Sequence, residues 1–304
     1  MLSSPSSAEG PRGLIVSGHG RRVVVEGADG KRVLCHTRGK RSEAVVGDRV
    51  RWQRSGDEGV IEAVLPRRNL LYRQDEWKTK AFAANIDQLL VVVAAEPVFS
   101  ESQLARALIA AADAAIPARI ALNKRDLPSF AEARGRLQPY ASMGIDVVEL
   151  ALKMERDDAC ERLGPVLAGK ATLVLGPSGA GKSTLVNLMV PDAQAETREI
   201  SKALNTGRHT TTTTEWHWID RERTSALIDS PGFQEFGLRH IDAARLAALM
   251  PDIASRSTAC RFYNCTHLHE PGCGVLAALE RGEIAASRHR IYREIFAELQ
   301  SRPA

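Results

Sequence analysis

Nine consecutive residues, Gly176, Pro177, Ser178, Gly179, Ala180, Gly181, Lys182, Ser183 and Thr184, carry the densest chemical information in this chain of 304 residues. Gly176, Gly181, Lys182 and Ser183 fit the phosphate-loop pattern. In such a loop successive backbone N–H groups and a helix N-terminus face one anion. Lys182 is then placed for the β and γ phosphates and the Ser183 hydroxyl for Mg²⁺. The apolar run Ala171–Leu175 predicts a buried parallel strand before the loop, and 185–189 predicts a helix after it. A glycine-rich turn before an ordinary helix is the bland alternative. Every fixed position and both flanks match the sharper reading: this chain binds a nucleoside triphosphate.

Asn123, Lys124, Arg125 and Asp126 follow another apolar strand, 118–122, and so sit at a strand's C-terminal end, where open α/β sheets bind ligands. A carboxylate there accepts two hydrogen bonds from guanine. Adenine has no donor pair at those positions and would leave a buried acceptor unpaired. Asn123 would meet the base edge or brace the phosphate loop, and the Lys124 stem would lie along the ring. A third strand, 224–228, ends at Asp229, Ser230, Pro231 and Gly232. Asp229 can hold Mg²⁺ directly or through water, and the Gly232 N–H can meet the γ phosphate and sense its loss. Upstream lies the hydroxyl-rich run 207–214. Thr210, Thr211 and Thr212 are its candidates for a switch that orders on Mg²⁺, with Thr211, the middle one, carried as the site residue. A threonine-rich edge strand competes for the later members of the run.

The three elements occur in an unusual order. In a Ras-like protein the phosphate loop comes first, whereas here the base-reading motif precedes it. Because every loop hangs from a strand end on one edge of one sheet, moving the chain termini leaves the site intact. On the permuted order, the Gly207-Arg208-His209-Thr210-Thr211-Thr212 run, Asp229 to Phe233 and a downstream Cys/His cluster, the sequence resembles the RsgA (YjeQ) family of circularly permuted, small-ribosomal-subunit-dependent GTPases. The resemblance extends from about residue 12 to beyond Cys273. One departure is visible: residues 149–153 stand where a Ser-Ala pair usually supports the base.

The downstream cluster is Cys260, Cys265, His267 and Cys273, four ligands within fourteen residues, set among Pro271, Gly272 and Gly274. This suits one closed, tetrahedral, structural zinc ion with no open position for catalysis. His269 competes with His267 on spacing, and the resemblance favours His267. Three of the five cysteines fall in this window, which fits a reducing compartment. Cys35 and Cys160 read as simple small residues.

The elements that must position these groups are legible in outline. Residues 1–11 are Ser- and Pro-rich without an apolar leader core, and read as a loose tail. No run is long and apolar enough for a membrane span. We therefore expect a cytoplasmic protein. Between 12 and 72, short apolar runs at 14–16, 23–25, 45–46, 50–52 and 60–61 alternate with turns and suggest a small antiparallel barrel, OB-type being the best match. Residues 10–80 hold 16 Lys and Arg against 9 Asp and Glu, a net +7; the whole chain is +4, so the remainder is −3. A basic barrel suits an RNA backbone, though basic residues on barrels are often merely solvated. Residues 73–240 then read as the α/β GTPase domain, with a connecting stretch at 71–85 and helices near 101–115, 130–142 and 158–168. Residues 241–304 form a zinc module, with helices expected at 241–249 and from 276 to about 299.

Hydrolysis needs a positioned water, charge stabilisation and Mg²⁺. The usual glutamine after the Asp-x-x-Gly motif is replaced by Phe233, which cannot orient water. Chemistry and the resemblance both point to His209 instead, with Lys182 supplying electrostatics; a non-catalytic histidine in a loop is the alternative. The resemblance implies a GTPase of late small-subunit maturation, stimulated by that subunit and binding its rRNA, a monomer exchanging GTP and GDP away from membranes. The competing class is a nucleotide-gated RNA-binding module whose hydrolysis is incidental.

Overall fold

The structure, a computed structural model, describes residues 10–19, 22–37, 44–74, 79–191, 213–230 and 238–301. Five strands, β1 (Arg12–His19), β2 (Arg22–Gly27), β3 (Arg32–Thr37), β4 (Arg49–Ser55) and β5 (Glu58–Val64), close on themselves in the order β1-β2-β3-β5-β4, with β4 returning to β1. One pair, β3 with β5, is parallel and the others are antiparallel. This is an OB-type barrel, and closure removes its exposed edges. Its interior holds Ile15, Val25, Cys35, Val50 and Ile61. Val45 and Val46, expected in a strand, lie outside one; Val46 bridges to Ala83 instead. The stretch at 71–85 is more ordered than a linker, since β6 (Leu70–Gln74) and β7 (Thr79–Ala84) pair as a hairpin.

The second part of the chain alternates strand and helix. Strands β8 (Gln88–Ala94), β9 (Ala118–Asn123), β10 (Val147–Glu149), β11 (Ala171–Leu175), β12 (Glu215–Trp218) and β13 (Ala226–Asp229) run in the order β10-β9-β8-β11-β13-β12. All neighbours are parallel except β12. Strand alternation sends successive side chains to opposite faces. Leu90, Val92, Val174 and Leu227 meet α3 (Arg156–Leu167) and α4 (Lys182–Met189) through Leu163, Leu167, Leu185 and Val186. Leu89, Val91, Ile120, Leu173 and Ile228 face the other way, toward α1 (Glu101–Asp113) and α2 (Phe130–Ser142). Each fully buried Leu or Ile contributes about 1.5–3 kcal/mol, so two apolar layers hold the sheet rigid.

The C-terminal region differs from expectation in two places. Residues Ala243–Leu249 form a 3₁₀ helix, followed by the helix Pro251–Ser257. The single long helix expected from 276 is two, Gly274–Glu280 and Ala286–Gln300, broken where Gly282 takes φ 72°. Apolar periodicity continued across the break and concealed it. The last helix packs against the domain: Ile291, Tyr292, Ile295, Phe296 and Leu299 are buried, and so is Arg288. Arg288 donates to Asp252 at 2.8 and 3.1 Å and lies over the Tyr140 ring at 4.9 Å, so it anchors the helix while Arg290 and Arg293 remain exposed. No helix among the described residues is long and apolar enough to cross a membrane.

Candidate nucleotide-binding site and metal centre

The three sequence motifs do converge. β9, β11 and β13 are parallel, so Asn123, Gly176 and Asp229 all stand at C-terminal strand ends on one edge of the sheet. Three glycines shape the loop after β11, and two of them are dictated by neighbours. A Cβ at Gly176, where φ is 152°, would lie 2.0 Å from the Val92 carbonyl oxygen of β8. One at Gly181, φ 111°, would lie 2.3 Å from Asn123 Nδ2. Gly181 caps α4 in a left-handed conformation, which turns the helix N-terminus toward the loop. Pro177, Ser178 and Gly179 form the outer turn, Ala180 is buried beneath it, and Ser183 and Thr184 start the helix.

Asn123 joins the two halves of the site. It is buried; its Nδ2 donates to the Ala180 carbonyl of the phosphate loop at 2.9 Å. Its Oδ1 accepts from the Leu152 N–H at 3.1 Å. Of the two roles open to it, the structure shows bracing. Leu150 pairs with this loop on both sides, its N–H donating to Leu122 and its carbonyl accepting from the Arg125 N–H. Residues 150–152 therefore support the base-reading loop through their backbone, which is why side-chain identity at 149–153 gave no signal. Arg125 turns away to α3, where Glu155 and Asp158 accept from it. Lys124, at φ 67°, donates to the Glu96 carbonyl, and Asp126 is exposed at the loop's mouth.

Lys182 donates to the Gly176 and Pro177 carbonyls at 2.7 and 3.0 Å. Burial lowers its pKa from the ordinary value, and Asp229 offsets part of that. Asp229 shows the reverse. Burial raises its carboxyl pKa, while His217 and Lys182 work against the rise and Glu215 adds to it. A half-buried ammonium and a half-buried carboxylate at one strand edge form a polarised site that favours a phosphate with its counter-cation. Sequence reasoning missed Glu215 and His217, which lie just past the hydroxyl-rich run 207–214 and match no motif. Thr210, Thr211, Thr212, His209, Gly232 and Phe233 lie outside the described residues.

In the C-terminal module, the ligand atoms of Cys260, Cys265, His267 and Cys273 all lie within 4.8 Å of one another. Cys260 Sγ and Cys273 Sγ stand 3.4 and 3.5 Å from His267 Nδ1, and His269 is outside the cluster. The surroundings fit a soft dication. Burial and the neighbouring thiols push the Cys265 thiol up, so ionisation there needs a compensating cation. Burial also lowers His267, keeping the imidazole neutral and able to ligate. Backbone N–H groups of Gly274 and Leu276 donate to Cys260 and Cys273 sulfurs at 3.3 and 3.5 Å. His289 meets the His267 carbonyl at 2.9 Å, and the Glu270 carboxylate accepts from Thr266, Leu268 and His269. These contacts hold the ligand loop in shape. The four residues could hold a zinc ion.

Known proteins carry the same architecture. A family model described as RsgA GTPase matches residues 64–239. The small ribosomal subunit biogenesis GTPase RsgA of Variovorax paradoxus is 61% identical over 296 residues, covering 95% of this chain and 93% of the relative. That of Burkholderia pseudomallei strain K96243 is 52% identical over 301 residues, covering 97% and 95%. Among solved structures, YjeQ from Thermotoga maritima aligns with TM-score 0.72 at 31% identity, covering 96% of this chain and 99% of that one. YloQ, described as a circularly permuted GTPase, aligns with TM-score 0.70 at 26% identity, covering 100% and 99%. With the family model matching more than half of the chain and relatives aligning along nearly its full length, this chain belongs to the RsgA GTPase family.

Proposed function

We propose that this protein hydrolyses GTP to GDP and phosphate in late maturation of the small ribosomal subunit, and that the subunit stimulates it. One observation carries the reading: a base-reading loop, a phosphate loop and Asp229 sit at the C-terminal ends of parallel strands in one sheet, with Asn123 bonded across the first two. Asp126 would read guanine, and the amides of 176–184 would cradle the phosphates with Lys182. Ser183 and Asp229 would hold Mg²⁺, with Thr211 and Gly232 completing the switches. The cation would neutralise charge on the transferring phosphoryl group. His209 would orient the attacking water in place of the glutamine that Phe233 displaces. Zinc at Cys260, Cys265, His267 and Cys273 would be structural, since four protein ligands leave no open position.

We take residues 12–72 as the RNA-binding barrel, 73–240 as the GTPase domain and 241–304 as the zinc module, acting as a cytoplasmic monomer. GTP would favour docking on rRNA, and hydrolysis would release the factor. The test is GTP turnover by purified protein with and without small ribosomal subunits, ATP serving as control. GTP-only turnover that the subunit accelerates is expected, and His209→Ala should abolish the acceleration while GTP affinity holds. Turnover indifferent to the subunit would sink the ribosomal assignment.

A further inference from the structure

The barrel and the GTPase sheet are one hydrogen-bonded surface. β1 of the barrel pairs with β12 at Ser17 and Glu215, and β12 pairs in turn with β13, where Glu215 stands opposite Asp229. β12 is therefore the one strand, among those described, that touches both the barrel and the strand carrying Asp229. Beside this junction lies Glu26 of β2, only 5% exposed. Its carboxylate accepts from Arg32 Nε of β3 at 3.0 Å and from Trp218 Nε1 of β12 at 2.8 Å. Arg223, in the turn between β12 and β13, approaches it at 3.3 Å. Arg223 also packs so closely on the barrel's β2–β3 turn that a Cβ at Gly30 would lie 2.2 Å from its guanidinium.

A buried carboxylate that loses its donors is strongly penalised. Two of Glu26's three donors belong to the GTPase side and one to the barrel. Shifting the barrel relative to β12 would strip it of both Trp218 and Arg223 at once, so the junction favours discrete arrangements over gradual sliding. β12 also carries the groups that act on Asp229 electrostatically. Thr213 donates to Glu215 at 3.3 Å, His217 lies 3.7 Å from Glu215, and both Glu215 and His217 influence the Asp229 carboxyl.

We infer that Glu26 is a positioning residue for coupling between the two parts: it holds β12 in register with the barrel, so that RNA bound by the barrel and nucleotide bound beside Asp229 are energetically linked. The inference rests on the ribosomal reading above and names the residue that carries its regulation. Linkage makes such coupling reciprocal, with typical strengths of roughly 5- to 150-fold. The affinity of the full-length protein for small ribosomal subunits should then depend on whether GDP or a non-hydrolysable GTP analogue is present.

The experiment measures that affinity ratio for the wild type and Glu26→Gln, together with basal GTP turnover. We expect the wild-type ratio to be about tenfold and the variant's to fall within about twofold of unity, with basal turnover unchanged. A variant that keeps the wild-type ratio overturns the inference. So does one that loses affinity equally in both nucleotide states, because that is damage to the barrel and leaves coupling intact. If Glu26→Gln does not fold, Arg223→Ala removes one donor from a half-exposed side chain, and the same ratio decides. A wild type with neither nucleotide-dependent affinity nor stimulated turnover removes the ribosomal reading itself, before any variant is compared.

Discussion

The Cys₃His centre draws its ligands from fourteen consecutive residues, whereas the nucleotide site gathers its groups from Asn123 to Asp229 across three strands. The first is shaped by local turns, N–H to sulfur bonds and the Glu270 carboxylate. The second exists only because β8, β9, β11 and β13 lie side by side, and its loops touch each other through one asparagine. A local site fails locally when a ligand is lost. A site assembled over distance fails when the brace between its parts is lost, even if every ligand-facing residue is intact.

The sharpest way to break this contrast is Cys265→Ser. Losing one of four ligands should take zinc content from about one ion per chain to near zero and remove folding energy on the order of several kcal/mol from the module. Amide exchange should rise across the helices from 251 to 300 while β8, β9 and β11 stay protected, and GTP affinity should change less than about threefold, roughly 0.6 kcal/mol. Collapse of nucleotide binding in this variant would show that the two sites are one cooperative unit.

Asn123→Ala probes the other side. It leaves the buried Ala180 carbonyl and Leu152 N–H without partners, each costing about 1–3 kcal/mol. GTP affinity, read by calorimetry, should fall between about 10- and 100-fold, with zinc content unchanged. An unchanged affinity would mean the loops need no brace.

The smallest change in stability is expected from Asp229→Asn. Burial raises the Asp229 carboxyl above its unfolded value, so between those two values the folded state holds more protons than the unfolded one and stability falls as pH rises. Above the folded value the penalty is fully present. The nucleotide-free variant should therefore melt slightly higher than wild type at neutral pH, and the gain should vanish once pH drops below the ordinary carboxylate range. Hydrolysis should be lost at any pH, the trade of stability for function expected at a charged site. A variant less stable than wild type at neutral pH would contradict the burial penalty.

Much of this was legible in the chain. The phosphate loop, the base motif and Asp229 were readable because phosphate cradling and guanine selection demand particular residue types at fixed spacing, and the cysteine cluster because metal ligation does. Apolar runs marked most of the barrel and the parallel strands. Other features escaped for identifiable reasons. The break at Gly282 was hidden because apolar spacing continues on both sides of it. Arg288 is buried against Asp252 and Tyr140, a placement that a charged residue type does not announce. The support given by 150–152 is made by backbone atoms, which any residue supplies.

The sequence by itself determined which chemistry this protein can perform, because short motifs encode local geometry and ligand type. Tertiary structure alone decided which groups hold those motifs together: Asn123 between two loops, Glu26 between barrel and sheet, Arg288 between module and domain. Each is a polar side chain buried at a junction between elements far apart in the chain. Its partner is set by the packing of strands and helices, and no local spacing records that.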